Sequence, residues 1–254
     1  MLPPMTERRV LTSDNPALAG LQWPVFEARG AHDGPRLLLM AGIHGCEYPA
    51  IAAVRSFMRG LDTSQLSGSI LAVPLASPTS FTGRSAFVVP QDGKNLNRCF
   101  PGDPDGSFSD ALADHIFTEF ISPADLVIDL HGGDLFEALE PFAIYDDSPQ
   151  RETAHRLATA FGFPYVICDQ SGHLTGMTCS AAAAAGKPAI VAEAGGCGLL
   201  EVAAVDRHVA GLENALRAVG MLAGEARPLS RRRSAPARRR SPAAARRRRR
   251  PGLW

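Results

Sequence analysis

Short, continuous apolar runs separated by longer stretches of helical spacing decide what this chain can fold into. Apolar, β-branched runs occupy residues 36–41, 69–75, 125–130, 142–145, 164–168 and 188–193. Between several of them, residues 48–60, 108–120, 151–162, 175–185 and 201–223 repeat apolar side chains at helical spacing. A strand that is apolar on both faces must be covered on both, and helices between such strands supply the cover. The expected fold class is α/β, a largely parallel sheet flanked by helices. Hydrophobic residues make up 45% of the 254, enough for a sizeable core. Sheets of this kind bind ligands at the carboxyl ends of their strands.

Three chemistry-bearing residues sit at such ends. His44 and Glu47, in Gly42-Ile43-His44-Gly45-Cys46-Glu47, follow the run Leu37-Leu38-Leu39-Met40. A His and a Glu three residues apart at a strand end can put an imidazole nitrogen and a carboxylate on one cation. His131 closes Leu126-Val127-Ile128-Asp129-Leu130 and is followed by two glycines. Asp129 shares its face of the strand, because side chains alternate. Two His and one Glu form the open zinc set of carboxypeptidase-type hydrolases, which leaves a coordination position for water. Glu193 ends the run Pro188-Ala189-Ile190-Val191. It is the best-placed carboxylate to take a proton from an attacking water. Each residue alone has a plainer reading: Glu47 as a first-turn helix carboxylate, His131 as a core histidine, Glu193 as a surface residue before a Gly-rich loop. Their shared placement at strand ends favours one site.

Residues 76–107 have weak periodicity and read as a long loop, which in a compact domain is functional or disordered. The loop holds Asn97 and Arg98; the planar fork of an Arg matches a carboxylate, although a surface Arg is the plainer reading. Arg84 is a second cation in the same loop. His32, His115, His155, His173 and His208 lack ligand spacing and read as surface or core residues. The five Cys form no C-x-x-C pair, and Cys46, Cys99 and Cys197 read as small packing residues. An odd Cys count without a framework fits a reducing cytoplasm. No secretory signal or membrane-length apolar stretch is visible.

The formal net charge of zero conceals an asymmetry. Residues 231–254 hold eleven Arg and no acid, so residues 1–230 carry 15 Lys and Arg against 26 Asp and Glu, a net of −11. We divide the chain into a catalytic domain, 1–228, and an Arg/Pro/Ala-rich tail, 229–254, expected to be disordered. Three readings of the tail stand side by side: an inert solvated extension, a frameshifted or truncated gene end, and an arm for nucleic acid or another anionic surface.

Taken together, the motifs resemble the succinylglutamate desuccinylase/aspartoacylase family of zinc carboxypeptidase-like hydrolases. The match is carried, in the family's order, by Gly42 to Glu47, by Asp92-Gly93-Lys94-Asn95-Leu96-Asn97-Arg98-Cys99-Phe100-Pro101-Gly102, by Asp129 to Gly133 and by Glu193 to Gly196. The resemblance implies a central mixed, largely parallel sheet of the zinc-carboxypeptidase kind. It implies one Zn2+ per chain on His44, Glu47 and His131, with Glu193 as general base and later proton donor. It also implies Asn97 and Arg98 as binders of the substrate's α-carboxylate, and Arg84 as the oxyanion's partner. The implied substrate is a small N-acyl amino acid. Two other functions stay open, a metallocarboxypeptidase on small peptides and a truncated, non-catalytic remnant. A homo-oligomer is compatible with all three. Two departures stand out. Some relatives have Asp where this chain has Asn95, and relatives usually continue into a β-rich domain that helps wall the substrate channel, where this chain turns Arg-rich.

Overall fold

The computed structural model describes residues 5–227. The expected tail, 229–254, lies outside the described residues.

Among the described residues, eight strands form one mixed sheet in the order β1-β2-β4-β3-β5-β8-β6-β7. They are β1 (Met5–Leu11), β2 (Trp23–Arg29), β3 (His32–Ala41), β4 (Ser67–Val73), β5 (Leu126–His131), β6 (Phe142–Asp146), β7 (Tyr165–Asp169) and β8 (Ala189–Glu193). The centre, β4-β3-β5-β8, is parallel. The β1-β2, β2-β4 and β8-β6 pairs are antiparallel, and β7 returns parallel to β6. The helices are α1 (Tyr48–Gly60), α2 (Pro78–Thr82), α3 (Phe108–Ile116), α4 (Arg151–Phe161), α5 (Thr178–Ala184) and α6 (Val202–Ala218).

Alternation along the central strands divides the core in two. Leu37, Leu39, Ile128, Leu130 and Ile190 pack with residues of α1, α4 and α6. Leu38, Met40, Val127 and Val191 pack with Trp23 and residues of α3 and α5 on the other face. The six strands read from sequence are all present, and the five helical stretches correspond to α1, α3, α4, α5 and α6. Several boundaries differ. The stretch 108–120 divides into α3 and a π-helical turn, Phe117–Ile121; 175–185 narrows to Thr178–Ala184; and 201–223 ends at Ala218.

Two strands carry no clear signal in the sequence. Six residues of β1 are exposed, and β2 is broken by Pro24 and charged residues. β1 lies at the sheet's edge, where its backbone ladder with β2 holds it more than burial does, so its apolar pattern is faint. The stretch read as a loop, 76–107, also contains α2 and a 3-10 turn, Leu96–Arg98. No helix among the described residues is long and apolar enough to cross a membrane.

Candidate active site

The site forms where β3, β5 and β8 end side by side. After β3 the chain turns at Gly42, in the left-handed region at φ 72°. Gly45 lies flat against α2: a Cβ there would stand 2.2 Å from the backbone nitrogen of Phe81. That close approach brings Glu47 to the residue before α1, where its side chain caps no helix N–H. The carboxylate faces two imidazoles instead. His44 Nδ1 lies 2.7 Å from Oε1, and His131 Nδ1 lies 3.0 Å from Oε2. The two rings stand edge to face with centroids 5.1 Å apart.

Each imidazole is braced from behind. His131 Nε2 pairs with Asp129 Oδ2 at 2.9 Å, and Thr178 Oγ1 donates to the same oxygen at 2.6 Å. His44 Nε2 lies 3.0 Å from Asn95 Oδ1. That atom also accepts from Asn97 N at 2.9 Å, which identifies it as the amide oxygen. His44 therefore carries its proton on Nε2, and its Nδ1 faces Glu47. A carboxylate or carbonyl behind a histidine, fixing the tautomer and aiming the other nitrogen, is the usual support of a metal ligand.

The donor atoms of His44, Glu47 and His131 all lie within 4.8 Å of one another. Glu47 is 3% exposed and His131 1%. Glu47 Oε2 is buried without an aligned hydrogen bond, despite its 3.0 Å approach to His131. His44 Nδ1, with the ring proton on Nε2, meets Glu47 Oε1 at 2.7 Å as acceptor against acceptor, and atoms so placed suit a shared cation better than a hydrogen-bond network. Two imidazole nitrogens and a carboxylate are a zinc-type donor set, so these residues fit a divalent metal. Their electrostatics agree. Burial pushes the Glu47 carboxyl up, but His131 and His44 outweigh it and hold it at about 2. Burial pushes His131 down, yet Asp129 and Glu47 raise it well above the ordinary histidine value.

Glu193 is the last residue of β8 and stands in register beside His131, on the same face. It is partly buried. Burial, reinforced by Glu47, Asp129 and Glu137 against the pull of His131, pushes its carboxyl up to about 8. The other sequence-read residues are spread wider. Asn97 is 1% exposed, and its Oδ1 accepts from Thr178 N at the start of α5 (3.0 Å), leaving Nδ2 to turn elsewhere. Arg98 is exposed, and its Nη1 donates to Asn97 O at 2.6 Å. Arg84 is exposed just beyond α2, with left-handed backbone at φ 49°. Neither arginine forms a salt bridge among the described residues. The structure thus gathers His44, Glu47, His131 and Glu193 and leaves the two arginine side chains exposed.

Two contributors escaped the sequence reading. Thr178 joins Asn97 to the Asp129–His131 pair; only its place at a helix start marks it. Asp134 receives the Cys46 thiol at 3.1 Å, so Cys46 is more than a small packing residue, and burial with Asp134 beside it pushes that thiol up to about 12. A cleft of about 500 Å3 lined by Pro24, Val25, Phe26, Ile51, Leu75 and Phe81 contains none of the four gathered residues.

Comparison with known proteins gives the chain's family. Residues 33–219 match the model of the succinylglutamate desuccinylase/aspartoacylase catalytic domain. The chain is 33% identical over 219 residues to N-alpha-acetyl-L-2,4-diaminobutyric acid deacetylase of Halomonas elongata, covering 85% of this chain and 63% of that protein. It therefore spans less than two thirds of that relative's length. Among solved structures, a succinylglutamate desuccinylase/aspartoacylase from Rhodobacter sphaeroides superposes with a TM-score of 0.75 at 26% identity, over 90% of this chain and 68% of its own. The product-bound ectoine utilization protein EutE (DoeB) from Ruegeria pomeroyi gives 0.74 at 27% identity, over 88% and 68%. Fold and family match converge: the chain belongs to the succinylglutamate desuccinylase/aspartoacylase family.

Proposed function

We propose that the chain is a zinc-dependent amidohydrolase that removes the acyl group from an N-acyl amino acid, with one zinc ion held by His44, Glu47 and His131. The observation that supports this most is the convergence of two braced Nδ1 atoms and the Glu47 carboxylate beside Glu193. A divalent cation there supplies Lewis-acid polarisation of the scissile carbonyl and acidifies the attacking water. Glu193 takes a proton from that water and returns it to the leaving amine. A carboxyl that must accept and then donate near neutrality is served by a raised pKa, and burial raises this one. Arg84 donates to the oxyanion, where one such partner is worth about 10²–10³ in rate. Arg98 and the free Nδ2 of Asn97 hold the substrate's α-carboxylate.

The Halomonas relative is named for deacetylating N-alpha-acetyl-L-2,4-diaminobutyric acid, so that compound is the first substrate to offer. We place the protein in the cytoplasm, a reading supported by five free cysteines. The test is elemental analysis of the purified full chain, together with turnover of N-acetyl-diaminobutyrate, N-acetylaspartate, N-succinylglutamate and dipeptides. Bound zinc with turnover of an N-acyl amino acid is the expected result. Preferential cleavage of dipeptides would mean a carboxypeptidase, and zinc without turnover of any of them a non-catalytic remnant.

A further inference from the structure

Asp134 lies three residues beyond His131 and is 5% exposed. Its carboxylate accepts hydrogen bonds from three donors: Cys46 Sγ on Oδ1 at 3.1 Å, Leu135 N on Oδ1, and Phe87 N on Oδ2 at 3.2 Å. Cys46 lies between His44 and Glu47. Phe87 lies three residues after Arg84, on the exposed segment that leaves α2. The backbone N–H of Asp134 donates to Glu137 Oε2 at 3.1 Å, and Glu137 O accepts from Cys197 N at 2.8 Å, in the loop that follows Glu193. One buried carboxylate thus sits where the segments bearing His131, the His44–Glu47 turn and Arg84 meet, and its neighbour reaches the fourth.

We propose that Asp134 is a positioning residue of this site, holding the Arg84 segment and the His44–Glu47 turn in fixed relation to His131. Its consequence for rate rests on the deacylase reading, and on Arg84 in particular; the contacts themselves do not. A second observation points the same way. Arg84 keeps a left-handed backbone that costs a non-glycine residue energy and persists only where its surroundings hold it. The bond from Phe87 N to Asp134 is a tertiary anchor three residues away. Asp134 touches no reacting atom and acts through the groups it places.

The test is Asp134→Asn in the full chain. One carboxamide oxygen can still serve Cys46 and Leu135, but the amide nitrogen then faces the Phe87 N–H, donor against donor. Amide exchange over residues 84–88 should accelerate at least about 10-fold, with α1 and the zinc content unchanged. Turnover of the best N-acyl substrate should fall about 10-fold, as small misplacements near a reacting centre do. In an Arg84→Ala background the same change should cost less than about 2-fold, because nothing remains to be placed. An equal loss in both backgrounds, or unchanged exchange at 84–88, overturns the proposal. Wild-type turnover of Arg84→Ala alone strikes the oxyanion role instead and leaves exchange to judge Asp134. Should Asp134→Asn not fold, Asp134→Ser keeps one acceptor, admits a water and carries the same readouts.

Discussion

The two histidines differ in what stands behind them, and that difference can be reversed. His131 has a carboxylate, Asp129, while His44 has an amide, Asn95. In Asp129→Asn the amide oxygen can occupy the place of Oδ2 and keep both the His131 and Thr178 bonds. Its NH2 then occupies the place of Oδ1, which is buried without a partner. Shape and hydrogen bonds survive, and only the negative charge is lost. Loss of such support typically weakens metal binding about 10- to 100-fold, which is about 1 to 3 kcal/mol. Asn95→Asp makes the opposite change behind His44 and should tighten binding by a similar factor. Competition against a chromophoric chelator at fixed pH measures both. Zinc held as tightly by Asp129→Asn as by the wild type would refute the argument that the charge behind His131 strengthens its nitrogen as a donor.

Glu193→Gln should retain zinc and lose at least about 10²-fold in turnover, the usual worth of a positioned proton acceptor; elemental analysis beside a rate assay decides it. Arg98→Ala should raise KM for carboxylate-bearing substrates with little change in kcat. An unchanged KM would remove Arg98 as the carboxylate's anchor. His208, fully buried on α6 among the rings of Phe161 and Phe163, has its pKa pushed down from 6.5 to about 4 by burial. The unfolded chain gains this proton near pH 6.5 and the folded protein only near pH 4. Stability should therefore decline as pH falls between those values, by about 3 kcal/mol from this group. Urea titrations of His208→Leu across that range should show the decline reduced by that amount.

What could be read in the sequence follows from how each element is held. The central strands must satisfy apolar cover on both faces, so Leu37 to Met40 and Leu126 to Leu130 announce themselves. The edge strand β1 is held by its backbone pairing with β2, which Met5-Thr6-Glu7-Arg8-Arg9 does not advertise. His44, Glu47, His131 and Glu193 were legible because each closes or follows an apolar run and both histidines lie beside a glycine. Thr178 and Asp134 were not. Thr178 works on a residue 49 positions away and Asp134 on one 88 positions away, contacts that no local pattern encodes. Asn97 was legible as a polar loop residue, but its hold on the first turn of α5 was not.

The same distinction separates two halves of the chemistry. Glu47 and His131 are buried, and the histidines are braced by Asp129 on strand β5 and by Asn95, the cap of the 3-10 turn Leu96–Arg98. The side chains of Arg84 and Arg98 are instead exposed, and no salt bridge among the described residues fixes either. Fixing a long, exposed side chain costs about 1.5–2 kcal/mol of rotamer freedom, paid when the substrate arrives. Metal affinity should therefore answer mainly to changes behind the histidines. Substrate affinity should answer to whatever orders the arginines before binding, Asp134 foremost for Arg84. A variant that stiffens residues 84–88 without touching a metal ligand should lower KM or raise kcat while zinc affinity stays constant. Joint movement of zinc affinity and KM in such a variant would mean that the two halves form a single cooperative unit.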